Sequence, residues 1–315
     1  MNEITSSEDR AKAWSQYWSS GRLSSCPGYA DSNYSGVIAE SWEKFFTSLP
    51  DHCKLLDIAC GNGALLAIAQ RHTKTCSKSW QMTGVDKAQV EQTTKLKHHS
   101  ISLYGEIDMH ALPFASSSFA VVCSQYGIEY GHFPDNMIEA LRVLKPQGQF
   151  QFLLHCADSV IARRAVLQLQ QIELLQCEWK LFELLQIILQ VEADAQKLLS
   201  AKNDFDSAAA MAFAYMKAHS PEQDVSLIEQ SLQQLGSIWQ VRGQQRTADS
   251  IQACKDAEQA LMCLRQRLLD QQAAMLDQQQ AEVWLEQSTE LAAEAQLSRI
   301  DDAGVHVGWC LAGIK

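Results

Sequence analysis

The sequence has none of the short metal-ligating or redox patterns that its ten cysteines would allow, since it contains no CxxC pair and no two histidines at ligand spacing. We therefore predict reduced, mostly buried thiols and no metal site. It also lacks a long apolar run. The longest, LFELLQIILQV at residues 181–191, contains a glutamate and two glutamines and is far shorter than a bilayer span. The first residues, MNEITSSEDR, have no signal-peptide pattern, so we expect a soluble, cytoplasmic protein without membrane contact.

Positive charge is scarce. The chain has 26 Lys and Arg residues against 37 Asp and Glu residues, a formal net charge of -11. Residues 1–157 carry 15 acidic and 13 basic side chains, whereas residues 158–315 carry 22 and 13. A nucleic-acid enzyme needs a basic stripe that displaces counterions from phosphates, and neither half supplies one. A nucleic-acid partner is therefore disfavoured, and we expect a small-molecule substrate.

Short apolar runs alternate with helix-like stretches between about residues 54 and 155, which predicts a doubly wound, mostly parallel α/β sheet with helices on both faces. Helices are expected to begin near Gly63, near Lys87 and at Pro134. The predicted strands are Lys54–Ala59, Trp80–Val85, Ile101–Gly105, Phe119–Ser124 and Phe150–His155.

The pattern changes after His155, because strand signals disappear until Val305 and Leu, Ala, Gln and Glu recur at helical spacing. The sequence thus divides into an N-terminal helical cap (residues 1–50), an α/β core (51–157), a large all-helical insert (158–300) and one returning C-terminal strand (301–315). The insert is interpreted as a substrate lid or as the interface of a homodimer. The acidic, glutamine-rich composition of the insert is compatible with a lid and with a homodimer interface.

A glycine-rich turn follows the first predicted strand in LLDIACGNG, residues 55–63. Glycine lets the backbone approach a ligand that a side chain would exclude. A dinucleotide-binding turn expects a third glycine, GxGxxG, and Leu66 stands there instead. Asp57 just before the turn suits a cationic ligand better than a diphosphate. The turn therefore argues against NAD.

Carboxylates also end the next two predicted strands. Asp86 ends the second strand, where a carboxylate can accept hydrogen bonds from both hydroxyls of a ribose, and Asp108 follows the third with Met109 beside it. Each residue alone is equally explained as an ordinary strand-end cap. Their combined spacing is more specific and predicts a nucleoside-binding edge of the sheet.

The motifs DIACGNG, VDKA, GEIDMHALPF, FAVVCSQYGIEY and EALRVLKPQGQF resemble, in that order, those of class I methyltransferases that use S-adenosylmethionine (SAM). The resemblance covers residues 45–157. It implies that Gly61 and Gly63 face the methionine part of SAM and that Asp57 lies on its ammonium side. It also implies that Asp86 binds the ribose. The remaining cofactor-binding candidates are Ala59 and Lys87 in the same motifs, Asp108 and Met109 at the adenine, and Gln125 at the methionine end. Cys60 departs from the glycine or serine common at its position.

Aromatic residues cluster in the first 50 positions, and they either pack a leader helix on the sheet or close over the ligand. For ligand closure the candidates are Tyr17 and Tyr34. The cluster comprises Trp14, Tyr17, Trp18, Tyr29, Tyr34 and Trp42.

Five residues after the fourth and fifth strands are candidate catalytic groups, Tyr126, Glu129, Tyr130, His132 and His155. Of these, Glu129, His132 and His155 are the predicted catalytic residues. Methyl transfer is an in-line displacement, so a general base is needed only when the acceptor must lose a proton. His132 is as well explained as a solvated loop residue, His155 as a backbone-bonded strand end, and Glu129 as a helix cap or a group that orients a histidine.

These observations leave three functional hypotheses. The first is methyl transfer from SAM to a small molecule. The second is a SAM-binding regulatory or oligomerisation protein without methyl transfer. The third is another group transfer on the same fold, for which the sequence lacks the additional charged residues that such substrates would recruit.

Overall fold

The computed structural model describes residues 7–25, 33–90, 96, 98–191, 194–220, 222–242, 244, 246–292 and 294–315. Tyr29, one of the predicted aromatic cluster, lies outside them. The chain divides into two compact units, residues 1–162 with 270–315 and residues 163–269.

The first unit is built on one sheet, which in the described residues has seven strands in the order β3-β2-β1-β4-β5-β7-β6. The first five run parallel, and β7 is antiparallel to both β5 and β6. The predicted doubly wound, mostly parallel sheet is therefore confirmed. The strands are β1 His52–Ile58, β2 Ser79–Val85, β3 Ile101–Tyr104, β4 Phe119–Gln125, β5 Leu144–Leu154, β6 Glu294–Asp302 and β7 Val305–Ile314.

The central strands are apolar because both faces of the sheet are covered. Leu55 and Leu56 on β1 point to opposite faces, and both are fully buried. Trp42 and Phe46 belong to the core on one face, and Trp284 belongs to the core on the other. The helices of this unit are α1 Ser7–Ser19, α2 Gly36–Ser48, α3 Ala64–Cys76, α4 Asp135–Val143 and α10 Gln278–Leu291.

Two predicted helices differ in detail. The helix expected at Pro134 is present, with Pro134 as the residue before its first turn. Near Lys87 the described residues 86–90 are not helical, and residues 91–95 and 97 lie outside the described part of the chain. The predicted helix there therefore stays a prediction.

The prediction of an all-helical segment up to residue 300 is wrong at its end, where β6 occupies Glu294–Asp302. β6 is an edge strand whose side chains are mostly exposed, so its sequence EAQLSRIDD has no continuous apolar run. It pairs with β7 through Leu297 and Leu311, and this hairpin supplies the missing partner of the predicted C-terminal strand.

The second unit, residues 163–269, is helical throughout its described elements. The helices beyond β5 are α5 Val160–Glu173, α6 Leu181–Gln190, α7 Ala195–His219, α8 Ser226–Val241 and α9 Thr247–Ala274. Asp194 caps α7, because its side chain accepts a hydrogen bond from the Lys197 N–H. The thiol of Cys254 on α9 donates a hydrogen bond to the Phe182 carbonyl on α6 at 3.6 Å. Among the described residues, no helix combines the length and apolarity needed to cross a bilayer.

Candidate active site

A cavity of about 360 Å³ opens at the carboxyl ends of β1, β2 and β4, within the first unit. Ligands bind at this edge in open α/β sheets, and the volume lies within the range of small-molecule pockets. The cavity is lined by α1, by the loops after the strands and by Asp270, Ala273 and Ala274 at the end of α9. Of the predicted cofactor-binding residues, the lining includes Tyr34, Asp57, Ala59, Gly61, Asp86, Lys87, Asp108, Met109 and Gln125.

The turn after β1 is held in a left-handed backbone conformation. Gly61 has φ +51° and Gly63 has φ +86°, and Ala59 adopts φ +56°, which is unusual for a residue with a side chain. Tyr126 at the end of β4 has φ +52°. Strained backbone of this kind persists only where its surroundings enforce it, and here two such residues line one cavity.

The two glycines play different structural roles. A Cβ on Gly61 would overlap the ring of Trp18, so the Trp18 ring packs directly on this backbone. Gly63 lies outside the cavity lining and begins α3, where a Cβ would meet Leu96. Gly61 is therefore the glycine whose missing side chain shapes the cavity.

Asp57 is a buried carboxylate at the carboxyl end of β1. It is 1 % exposed, and neither of its oxygens has a hydrogen-bond partner among the described residues. Burial, reinforced by the neighbouring Asp86, raises the pKa of Asp57 well above its usual range. An unpartnered buried carboxylate is costly, so this position favours a cationic or hydrogen-bond-donating ligand.

Asp86 organises the turn while facing the cavity. Its Oδ2 accepts the N–H of Gly61 at 2.8 Å, and its Oδ1 accepts the N–H of Ala88 at 2.8 Å. Burial raises the pKa of Asp86 to about 6, although these backbone hydrogen bonds oppose the shift. The carboxylate therefore couples the loops after β1 and β2.

Asp108 lies at the outer rim of the cavity. Its carboxylate accepts the ammonium of Lys87 at 3.0 Å and the Nδ1 of His110 at 2.7 Å. Burial opposes ionisation, but the hydrogen bonds from the His110 backbone, Lys87 and the His110 ring prevail and lower the pKa of Asp108 well below its usual range. Met109 provides an apolar neighbour.

The aromatic candidates separate in the structure. Tyr34 lines the cavity and is buried. Tyr17 is not part of the lining, and its hydroxyl donates to the Ser24 carbonyl at 2.8 Å. The orientation of the Gln125 side chain is fixed by Trp42, whose indole N–H donates a hydrogen bond to the Gln125 side-chain oxygen.

Glu129 is the predicted catalytic residue that reaches the cavity. Its Oε1 accepts both the N–H and the Nδ1–H of His155, the latter at 2.6 Å. The other imidazole nitrogen of His155 lies 2.9 Å from the Gln271 amide. Glu129 Oε2 is buried and has no hydrogen-bond partner among the described residues. His155 therefore holds Glu129 rather than facing the cavity itself.

The expectation that His155 and His132 face an acceptor site differs from the geometry. His155 is 3 % exposed and both ring nitrogens are engaged, so it acts on the cavity through Glu129. His132 is four-fifths exposed, lies outside the lining, and its Nδ1 is 3.3 Å from the Asp135 carboxylate. This geometry matches the alternative of a solvated loop residue.

Helix α1 forms part of the cavity wall, and the sequence alone did not single out the residues responsible. Trp14 and Trp18 line the cavity, and the Trp14 ring meets Tyr130 edge to face at 5.7 Å. Arg10 on the same helix pairs with the buried Asp270 at 3.3 Å. Trp14 and Tyr130 are 116 positions apart and Arg10 and Asp270 are 260 positions apart, so no local sequence pattern predicts these contacts.

Residues 56–152 match the family model described as a methyltransferase domain, and this stretch is less than a third of the chain. Residues 56–152, which lie within the seven-stranded, mostly parallel sheet, are therefore similar to a methyltransferase domain. No curated protein matches the chain.

Among solved structures, the YcgJ protein of Bacillus subtilis is 19 % identical with a TM-score of 0.32, over 42 % of this chain and 58 % of that one. A putative SAM-dependent methyltransferase of Listeria monocytogenes is 20 % identical with a TM-score of 0.32, over 40 % and 57 %. A possible histamine N-methyltransferase of Thermotoga maritima is 17 % identical with a TM-score of 0.32, over 43 % and 59 %. The chain thus spans less than two thirds of each structure. Because the TM-scores are below 0.5, the similarity to a methyltransferase domain rests on the family model over residues 56–152.

Proposed function

We propose that the chain binds SAM in this cavity and transfers its methyl group to a small-molecule acceptor. The observation that carries the proposal is Asp57, a carboxylate buried at the carboxyl end of β1 with both oxygens unpartnered among the described residues. SAM carries an ammonium group and a sulfonium and no phosphate. Burying an unpaired carboxylate is unfavourable unless such a cationic group approaches it.

The other predicted contacts follow the same edge of the sheet. In this proposal Asp86 accepts the ribose hydroxyls, Met109 packs on the adenine and Asp108 accepts its amino group. The Asp108 carboxylate also contacts Lys87 and His110, so it would accept the adenine amino group in addition to these two partners. In this proposal Ala59, Gly61 and Gln125, which line the cavity together with Tyr34, contact the methionine part of SAM.

Bound SAM supplies a methyl group on a positively charged sulfur, which makes it open to attack by a nucleophile. The protein has to hold the nucleophile in line with that group and exclude water. Trp14, Trp18 and Tyr130 form an aromatic wall suited to this exclusion. Where the acceptor carries a proton, Glu129 Oε2 is positioned to take it, with His155 fixing the carboxylate from the other side.

The charge of the cavity favours an acceptor that donates hydrogen bonds. Two cations, Arg10 and Lys87, line it, and each is already paired with an aspartate. The carboxylates in the lining are Asp57, Asp86, Asp108, Glu129 and Asp270. An alcohol or an amine fits this excess of acceptors better than an anionic acceptor does.

The role of the helical segment is also part of the proposal. We propose that the helices of residues 163–269 form a substrate lid, because the chain leaves the sheet for them after β5, at the edge where ligands bind in open α/β sheets. A homodimer through those helices is the alternative. Hydrogen exchange on adding S-adenosylhomocysteine separates them, since a lid predicts slowed exchange within residues 163–269 and a remote arm predicts none there.

The decisive test of catalysis uses methyl-labelled SAM and a small-molecule metabolite extract. Incubation with the protein should produce S-adenosylhomocysteine and one or more labelled products, and Glu129→Gln should reduce both. SAM binding without any labelled product would instead favour a regulatory protein, the second hypothesis. A labelled product carrying more than the methyl group would favour the third.

A further inference from the structure

Three ligand-type side chains converge where β5 ends and β7 begins. Cys156 Sγ lies 2.5 Å from Asp158 Oδ1 and 3.1 Å from His306 Nδ1. Asp158 Oδ1 and His306 Nδ1 are 2.7 Å apart. Cys156 and His306 are buried, whereas the Asp158 side chain is exposed. The cluster lies outside the cavity of the proposed active site, and all three residues belong to the first unit.

The protonation of His306 follows from its other ring nitrogen. Nε2 lies 2.9 Å from the Gly308 carbonyl, which can only accept, so Nε2 carries a proton. In the neutral ring, Nδ1 then directs a lone pair at the thiol and the carboxylate. Histidines that bind metals are usually oriented in this way, with the second nitrogen donating to a carbonyl or a carboxylate.

We propose that Cys156 Sγ, His306 Nδ1 and Asp158 Oδ1 bind a zinc ion. A thiolate with an imidazole favours zinc over calcium or magnesium, which prefer all-oxygen sites. Three protein ligands leave one tetrahedral position, which a water molecule fills because the Asp158 side is open to solvent. Binding releases the thiol proton and any proton held between Nδ1 and Oδ1.

The geometry needs only a small adjustment. Zinc bond lengths of about 2.0–2.3 Å place tetrahedral nitrogen, oxygen and sulfur ligand atoms roughly 3.3–3.6 Å apart. The two buried ligands, Cys156 and His306, are already 3.1 Å apart. The larger movement falls on Asp158, whose exposed side chain can withdraw, and whose second oxygen is 3.8 Å from Arg299.

A zinc ion at this site would link the loop after β5, which carries Cys156 and Asp158, to His306 in the β6–β7 hairpin. Cys156 follows His155 directly, so a metal here would also hold the backbone that positions Glu129. The sequence predicts no metal because the ligands are dispersed, with Cys156 and His306 separated by 150 positions. The inference does not depend on methyl transfer.

The competing explanation needs no metal. In it, Asp158 accepts a hydrogen bond from the thiol and another from a protonated His306. Cobalt(II) distinguishes the two, because a thiolate bound to cobalt gives a charge-transfer band and a tetrahedral cobalt ion gives intense d–d bands.

The full chain, stripped with a chelator and kept reduced by a phosphine, is titrated with Co²⁺ and then with Zn²⁺. We expect one Co²⁺ per chain with a charge-transfer band that Zn²⁺ abolishes, and loss of that band in Cys156→Ser. Cys310→Ser is the matched control, since it removes another buried thiol of the same unit and should keep the band.

Asp158→Asn covers the case in which Cys156→Ser fails to fold, because this side chain is exposed. It should weaken zinc binding by about tenfold or more. A titration without a charge-transfer band, a band that survives Cys156→Ser, or unchanged zinc affinity in Asp158→Asn overturns the proposal.

Discussion

Replacing Asp86 with asparagine removes one negative charge from the proposed ribose site while keeping the size of the side chain. A hydrogen bond to a charged group contributes about 1.5–3 kcal/mol, which corresponds to a loss of roughly 10- to 150-fold in SAM affinity. The structure adds a second cost. The asparagine side chain would face two backbone donors, from Gly61 and Ala88, with one acceptor oxygen, so one N–H would lose its partner.

The pH dependence gives a second measure of the same residue. Because burial raises the pKa of Asp86 to about 6, the folded, ligand-free protein binds this proton more tightly than the unfolded chain. That contribution to stability is complete below the unfolded pKa of about 4 and is lost as the pH rises through about 6. SAM binding requires the ionised form, so affinity should fall as the pH is lowered through 6.

Isothermal titration with SAM and S-adenosylhomocysteine at pH 7 and pH 5.5 measures both effects. Asp51→Asn is the matched control, because Asp51 is an exposed aspartate immediately before the amino end of β1. Thermal unfolding of each variant separates lost contacts from lost folding. Unchanged SAM affinity in Asp86→Asn, or tight NAD binding by the wild type, would refute the assignment of this edge of the sheet.

The remaining predictions concern turnover, the glycine turn and the core. For an acceptor that must lose a proton, Glu129→Gln should lower kcat at least tenfold and leave SAM affinity within about twofold of the wild type. His132→Asn should change neither kcat nor SAM affinity. Equal effects of the two variants in steady-state kinetics would contradict the geometry. Gly61→Ala should weaken SAM binding, because the new Cβ would overlap Trp18, and titration calorimetry would show it. Trp42→Ala should lower the free energy of unfolding by about 3–5 kcal/mol in a denaturant titration, since this fully buried side chain also fixes Gln125; a loss below about 1 kcal/mol would contradict that role.

The sheet was predictable because its signals are local. β4 and the second half of β1 are buried on both faces and appear as apolar runs, whereas β2 alternates exposed and buried residues before its buried end. All three strands end at turn residues. Asp57, Gly61 and Asp86 could be found in the same way, since each stands within, directly after or at the end of such a run. β6 was missed because an exposed edge strand has no comparable run, and its charged residues follow a long helical stretch.

The parts that sequence reasoning missed depend on contacts between distant positions. The Trp18 ring contacts Gly61 because α1 packs beside the turn after β1. Arg10 pairs with Asp270 because the folded chain places the end of α9 beside α1. His155 stands at a strand end as predicted, but its role depends on Glu129 and on Gln271, 116 positions later. Spacing along the chain indicates neither contact.

The most direct test of the central claim is a crystal structure of the protein with S-adenosylhomocysteine. The account predicts the ligand in the cavity at the carboxyl ends of β1, β2 and β4, with the ribose hydroxyls about 3 Å from the Asp86 carboxylate and the ammonium beside Asp57. The Trp18 ring should lie against the ligand or move away from Gly61. Ligand bound elsewhere, or bound in this cavity with its ribose away from Asp86, would contradict it.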